Sequence, residues 1–212
     1  DDFRAWQGEH FAQFDETRGA GLAFVVDRIS SPTRDAMKAR VMERWPDAMW
    51  VSWDPVADET GLEGARAAFG QPQAELLSLD KAKVLLTLDR EGVQHGPGAS
   101  VNSRGMAAAR RVMHSGDAMS RIYSVESTVT QTGGMADHRL ALASSRIPAF
   151  AVALAQKLGE SVPAIAAMAR DLAAPAGEDI DAEFVEAVAE DLLAHRGEGL
   201  IVAGRAQPGA VR

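Results

Sequence analysis

The residues best suited to chemistry lie in one run, Val125-Glu-Ser-Thr-Val-Thr-Gln-Thr-Gly-Gly-Met-Ala-Asp-His-Arg-Leu140. It follows Arg121-Ile-Tyr-Ser124, so a short strand is expected to end at Glu126 and to feed a loop rich in hydroxyls and glycine. In an open α/β sheet, ligands bind outside the carboxyl ends of the strands. An acid at such a tip can accept hydrogen bonds from ribose hydroxyls or a guanine edge. Thr130, Thr132 and the neighbouring glycines let hydroxyls and backbone approach a pyrophosphate. The competing reading is a polar crossover whose threonines satisfy their own backbone.

Other chemistries find little purchase. The nicotinamide fingerprint Gly-x-Gly-x-x-Gly should sit between a first strand and its helix. Gly19-Ala-Gly21 precedes the strand instead, and Val26-Asp-Arg-Ile-Ser-Ser-Pro-Thr33 contains no glycine. No phosphate-binding Gly-x-x-x-x-Gly-Lys run is present. Gly98-Ala-Ser-Val-Asn102 falls short of a nucleophile elbow. His114-Ser-Gly-Asp117 reads as a polar helix end, because triad members converge in space rather than in sequence. The histidines at 10, 95, 114, 138 and 195 have no metal-ligand spacing. The sequence therefore nominates no catalytic residue and no metal ligand. His138 suits a local ion pair, Trp45, Trp50 and Trp53 suit core packing over a docking patch, and Glu183, Glu186 and Glu190 suit a solvated acidic face.

The elements that must position these residues are legible as short apolar runs separated by helical stretches. Strands are expected at Leu22–Val26, Met49–Trp53, Val84–Leu88, Ile122–Val125 and Leu200–Ala203, with another at Arg139–Ala143. Consecutive apolar residues in short runs are the mark of buried parallel strands joined by crossover helices. Ser31-Pro32 starts a helix with Met37, Val41 and Trp45 on one face, and Pro46 stops it. A helix at Gly61–Phe69 ends at Gly70. Asn102 can cap a third, with Met106, Ala109 and Met113 inward, and Ser145 a fourth, with Phe150 and Leu154 inward. Asp181 opens the last, with Phe184, Val188 and Leu192 inward. Residues 159–180 are expected to form a loop with a small helical insertion. The fold class is α/β, a doubly wound, mostly parallel Rossmann-like sheet with helices on both faces, in one domain over residues 1–212.

Composition bounds the partners. A net charge of −8 with dispersed basic residues argues against nucleic acid, which needs concentrated Lys and Arg. No apolar run approaches the roughly 20 residues of a membrane span. Cysteine is absent, so these residues cannot ligate an iron–sulfur cluster through thiolates. The start at Asp1 and the stop at Arg212 just after Leu200–Ala203 read as a fragment of a larger polypeptide.

The order of small and polar residues in Val125–Leu140 resembles a segment of the molybdopterin oxidoreductases. In that family the strand usually ends Val-Asp-Pro-Arg, and its acid helps hold the guanosine end of the molybdopterin guanine dinucleotide. Here Glu126, Ser127 and Thr128 stand in place of that Asp, Pro and Arg. With Ala136-Asp-His-Arg-Leu140, the variant is more similar to an offshoot, the iron–sulfur subunit of alternative complex III, a bacterial quinol:electron-acceptor oxidoreductase. The front portion of that subunit resembles a molybdenum enzyme but is held to carry no molybdenum cofactor. Ser30-Ser-Pro-Thr33, Trp53-Asp-Pro-Val56, Gly61-Leu-Glu-Gly-Ala-Arg-Ala-Ala-Phe-Gly70, Leu79–Asp89, Gly96-Pro-Gly98 and Leu200–Pro208 agree in order, so the resemblance spans roughly residues 22–208.

The resemblance implies a second gripping loop. Where the family's strand ends Gly-x-Asn, this chain runs Leu88-Asp-Arg-Glu-Gly92, which removes a glycine and brings the charges of Asp89 and Glu91 near a pyrophosphate. Asp89, Glu126, Thr130 and Thr132 are thus the candidate, vestigial cofactor-binding residues. The expectation is a cofactor-free scaffold domain without turnover of its own, with iron–sulfur clusters elsewhere in the parent subunit. Its partners would be other subunits of a membrane-associated respiratory complex, held on the periplasmic side. The alternative is the nucleotide-binding domain of a working molybdenum oxidoreductase, gripping the dinucleotide through Glu126 and Thr130 or Thr132.

Overall fold

A computed structural model describes residues 1–55, 59–73, 75–91, 98–169 and 180–212. The sequence reading takes residues 1–212 as one domain, whereas contacts divide the chain into two compact units, Asp1–Ala57 and Asp58–Arg212. Both are α/β with parallel strands.

Unit 1 runs α1 (Asp2–Ala12), β1 (Ala23–Val26), α2 (Pro32–Arg44) and β2 (Met49–Ser52), and β1 pairs in parallel with β2. The start of α2 follows the predicted chemistry. Ser31 is extended, its hydroxyl accepts from the Arg34 N–H, and Pro32 occupies the first turn. On α2 the inward residue is Trp45, just past the helix end, whereas Met37 is exposed. The three-membered apolar face expected here therefore does not form. Trp45 is buried and Trp53 exposed, so the tryptophans divide between packing and surface. α1 is an element that the sequence reading does not contain.

Unit 2 runs α3 (Glu59–Phe69), β3 (Val84–Leu88), α4 (Ala99–Ala109), β4 (Arg121–Glu126), α5 (Gln131–Gly134), β5 (His138–Ala141), α6 (Ile147–Gly159), α7 (Pro163–Ala169), α8 (Ala182–Ala194) and β6 (Gly199–Ala203). Its sheet has the order β5-β4-β3-β6, parallel throughout. β3 carries Val84, Leu86 and Leu88 into a core shared with Phe150 and Leu154 of α6 and Val188 and Leu192 of α8. Leu85 turns the other way, with Ile122 and Val202, to meet Met106 of α4. Each fully buried aliphatic or aromatic side chain contributes about 2–3 kcal/mol. Both faces of β3 are thus covered, which is why its sequence is apolar at consecutive positions.

Two predicted caps differ. Gly98, in the left-handed region at φ 80°, opens α4, so Asn102 lies within the helix and Met113 lies beyond its end, exposed. Ser145 sits in a 3-10 turn, Ser144–Arg146, and α6 starts after Arg146 without a side-chain cap. Asp181 does cap α8, accepting from the Phe184 N–H at 2.9 Å. Within 159–180, α7 is described, and the rest of the expected loop, 170–179, lies outside the described residues.

Candidate functional site

The strand order of unit 2 dictates where a ligand would bind. From β3 the chain steps outward to β4 and β5, then returns to place β6 on the other side of β3. Such reversals leave a crevice at the carboxyl ends of the two strands, here β3 and β6. Asp89, immediately after β3, stands at that point. Glu126 ends β4, one strand away, with Thr130 and Thr132 in the loop beyond it.

All four predicted residues lie along this edge of the sheet, in three hydrogen-bonded groups. Asp89 adopts φ 51°, a conformation that costs a non-glycine residue of order 1 kcal/mol. Its carboxylate gathers donors from three other segments. Oδ1 accepts from the Ser127 N–H at 3.3 Å and the Ser127 hydroxyl at 3.2 Å. Oδ2 accepts from the Ser144 hydroxyl and from Gln207 Nε2 at 3.2 Å. Gln207 is 1% exposed and also donates to Ser144 Oγ at 3.0 Å. Asp89 therefore ties together the chain after β3, β4, β5 and β6.

Glu126 is equally committed. It is 1% exposed and accepts from Arg139 Nε at 2.6 Å, the Thr130 hydroxyl at 2.7 Å and the Thr130 N–H at 3.2 Å. Thr130 is the N-cap of α5, its hydroxyl accepting from the Gly133 N–H at 3.1 Å. Thr132, fully buried, donates its hydroxyl to Glu91 at 3.0 Å, and its N–H reaches the same carboxylate at 3.3 Å.

The sequence reading missed Ser127, Ser144 and Gln207 as partners of Asp89. No local signal could have joined them, because they meet only when four strand ends converge. It missed Arg139 as the partner of Glu126, although an Arg three positions into a run that returns beside the first strand was an available cue. Arg90 was also unassigned. Its Nη1 donates to the Ala203 carbonyl at 3.1 Å and its Nη2 pairs with Glu75, so it crosses from the tip of β3 to the end of β6. His138 stacks on Tyr123 with centroids 4.9 Å apart, while its neighbours Asp137 and Arg139 form the ion pairs.

No family model matches this chain, and no curated protein matches it.

The four predicted residues have their side-chain oxygens engaged with other protein groups. Three N–H groups around the start of α5 are those of Thr130, Thr132 and Gly133. Each already donates to protein oxygen, from Glu126, Glu91 and Thr130 respectively. The glycines do not open space either. A Cβ on Gly133 would lie 1.8 Å from Glu126 Oε1, and one on Gly204 would lie 1.9 Å from the Asp89 carbonyl oxygen. Protein atoms thus fill both gaps. The one buried side-chain atom without a partner among the described residues is Gln207 Oε1. It calls for an N–H or O–H donor and not a phosphate oxygen, and it is sealed from solvent.

The opposite edge of the sheet carries a second polar group. Asp137 is gripped by Arg110 at 2.7 Å and 2.9 Å and by the Ile122 N–H at 2.8 Å. The Arg110 guanidinium holds its carboxyl below the usual carboxylate range against the opposing effect of burial. Asp191 accepts from Arg121 at 2.6 Å and from the Tyr123 hydroxyl at 3.1 Å, and burial raises that phenol above its ordinary value. A groove of about 330 Å³ between α6 and α8, lined by Ala153, Lys157, Val185 and Glu186 among others, shares no residue with either network. Among the described residues no three His, Asp or Glu side chains gather as metal ligands.

Proposed function

We propose that this chain is a molybdopterin-oxidoreductase-like scaffold domain that holds no cofactor. It belongs on this reading to the iron–sulfur subunit of a quinol:electron-acceptor oxidoreductase of the alternative-complex-III type. The observation that carries it is the internal engagement of the four candidate residues. Glu126 bonds Thr130 and Arg139, Asp89 bonds Ser127, Ser144 and Gln207, and Thr132 bonds Glu91. A ligand would have to break charge-assisted bonds worth about 1.5–3 kcal/mol each before making its own. Here the carboxylates knit the strand tips together.

The scaffold contributes surface rather than turnover. Iron–sulfur clusters would sit in parts of the parent subunit outside these cysteine-free residues. No helix among the described residues is long and apolar enough to cross a membrane, so contact with the membrane, on the periplasmic side, would come through neighbouring subunits.

The test is metal analysis and extracted-pterin fluorescence on the full-length protein, together with calorimetric titration of this chain with GDP. The scaffold reading expects no molybdenum, no pterin and no heat of binding. Molybdenum near stoichiometry, or GDP binding that Glu126→Gln abolishes, would overturn it in favour of a working guanine-dinucleotide domain.

A further inference from the structure

Unit 1 keeps few of its apolar side chains inside. Among its described residues only Trp45 and Ala48 are buried hydrophobic side chains, and a core in so small a unit rarely supplies more than about 3–5 kcal/mol even when well filled. α1 shows the deficit most clearly. It has 11 residues and buries none of them, and helices shorter than about 12–15 residues are marginal in water without tertiary cover.

The uncovered face of α1 is aromatic. Phe3, Trp6 and His10 follow at three- and four-residue spacing and so share one face. Phe3 is 67% and Trp6 55% exposed. The three rings are already stacked, with centroids 5.7 Å apart for Phe3–Trp6 and 5.0 Å for Trp6–His10. The stack is anchored, because His10 meets Phe11 edge-on at 5.3 Å and Phe11 meets Trp45 at 5.9 Å. Trp45 in turn donates its indole N–H to Asp15 at 2.7 Å. A stripe held in place before binding loses little rotamer freedom on binding, and centrally placed tryptophans are the usual anchors of protein interfaces.

Charge selects the occupant. At 100° per residue Asp2 and Glu9 fall together along one flank of the stripe, and among the described residues neither forms an ion pair. A lipid surface is a poor match, since helices that lie on membranes carry Lys and Arg and anionic headgroups repel acids. A second copy in antiparallel pairing would set acidic flank against acidic flank. We propose that α1 docks through Phe3, Trp6 and His10 into an apolar groove of a different protein whose rim carries Lys or Arg opposite Asp2 and Glu9. This goes beyond the scaffold reading and does not depend on it.

The test places photoreactive p-benzoylphenylalanine at position 6 of the full-length chain, and at position 3 in a second version, in the cells that naturally make it. After irradiation the cross-linked peptides are mapped by mass spectrometry. The expected result is one segment of another polypeptide, reached from both positions and bearing Lys or Arg. Adding Glu9→Lys to the position-3 version should lower the yield about fivefold, and Glu9→Gln by a smaller factor. Reversing the mapped partner charge should restore the yield with Glu9→Lys, while tryptophan fluorescence shows that unit 1 stays folded. Cross-links to a second copy or to lipid, no cross-link from either position, or a yield unmoved by both Glu9 variants would overturn the proposal.

Discussion

Replacing Glu126 by Gln tests whether the carboxylate is structural or kept for a ligand. The side chain keeps its shape, so packing is preserved and only charge and acceptor capacity change. Three donors converge on the carboxylate, from Arg139 at 2.6 Å and from the Thr130 hydroxyl and N–H at 2.7 Å and 3.2 Å. An amide can accept from Arg139 through its oxygen and donate to Thr130 Oγ1 through its nitrogen, so the number of bonds nearly survives. The loss lies in charge assistance, about 1 kcal/mol for each of the two short bonds, since hydrogen bonds to charged groups run roughly twice as strong as neutral ones. Arg139 is partly exposed, which lets water solvate the unpaired guanidinium and holds the total near 2 kcal/mol rather than the larger cost of breaking a fully buried pair. For a domain of this size that corresponds to a fall in Tm of about 4–8 °C. Thermal unfolding followed by far-UV circular dichroism reads it. A double-mutant cycle with Arg139→Gln should return a coupling of about 1–2 kcal/mol. A variant that melts within about 1 °C of the parent, or higher, would refute the reasoning, because carboxylates reserved for ligands usually cost stability in the free protein.

Gly204→Ala would place a Cβ 1.9 Å from the Asp89 carbonyl oxygen. The end of β6 must then part from the tip of β3, at a cost of about 3 kcal/mol or more, seen as a lowered Tm or loss of soluble protein. Asp181→Ala removes the cap of α8 and should cost about 1 kcal/mol, measured from the urea midpoint at constant m-value. Asp137 has a folded-state pKa depressed chiefly by Arg110. Its stabilisation is therefore present above the ordinary carboxylate pKa of about 3.9 and disappears as pH falls through the folded value. Asp137→Asn should flatten the decline of the urea midpoint below about pH 4 while lowering the midpoint at pH 6, and an unchanged acid limb would contradict the assignment.

Much of the scaffold was legible because burial on both faces leaves a plain trace. Val84-Leu-Leu-Thr-Leu88 is apolar at consecutive positions, and it is the central strand, covered by α4 on one side and by α6 and α8 on the other. Ser31-Pro32 and Asp181 announce helix starts through local chemistry, and both act as read. Asn102 misled because the backbone turn at Gly98, with φ 80°, begins the helix a turn earlier than any side-chain cap suggests. The four candidate residues at the carboxyl ends of the strands were placeable from a strand followed by an acid and hydroxyls. Which way they point was not, since Gln207 lies 118 positions from Asp89 and only the finished topology brings them together. α1 was missed because Phe3 and Trp6 face solvent and no residue of the helix is buried, although the spacing of Phe3, Trp6 and His10 was there to read.

The thin interior of unit 1 bears on the life of the chain inside a cell. A segment that buries so little of itself opens far more often than the well-filled sheet of unit 2, and degradation tracks the population of opened molecules. Copies synthesised in excess of whatever covers α1 would be the first consumed, beginning at their aromatic helix. Assembly ratios would then be corrected after translation, by the selective survival of chains that have found company.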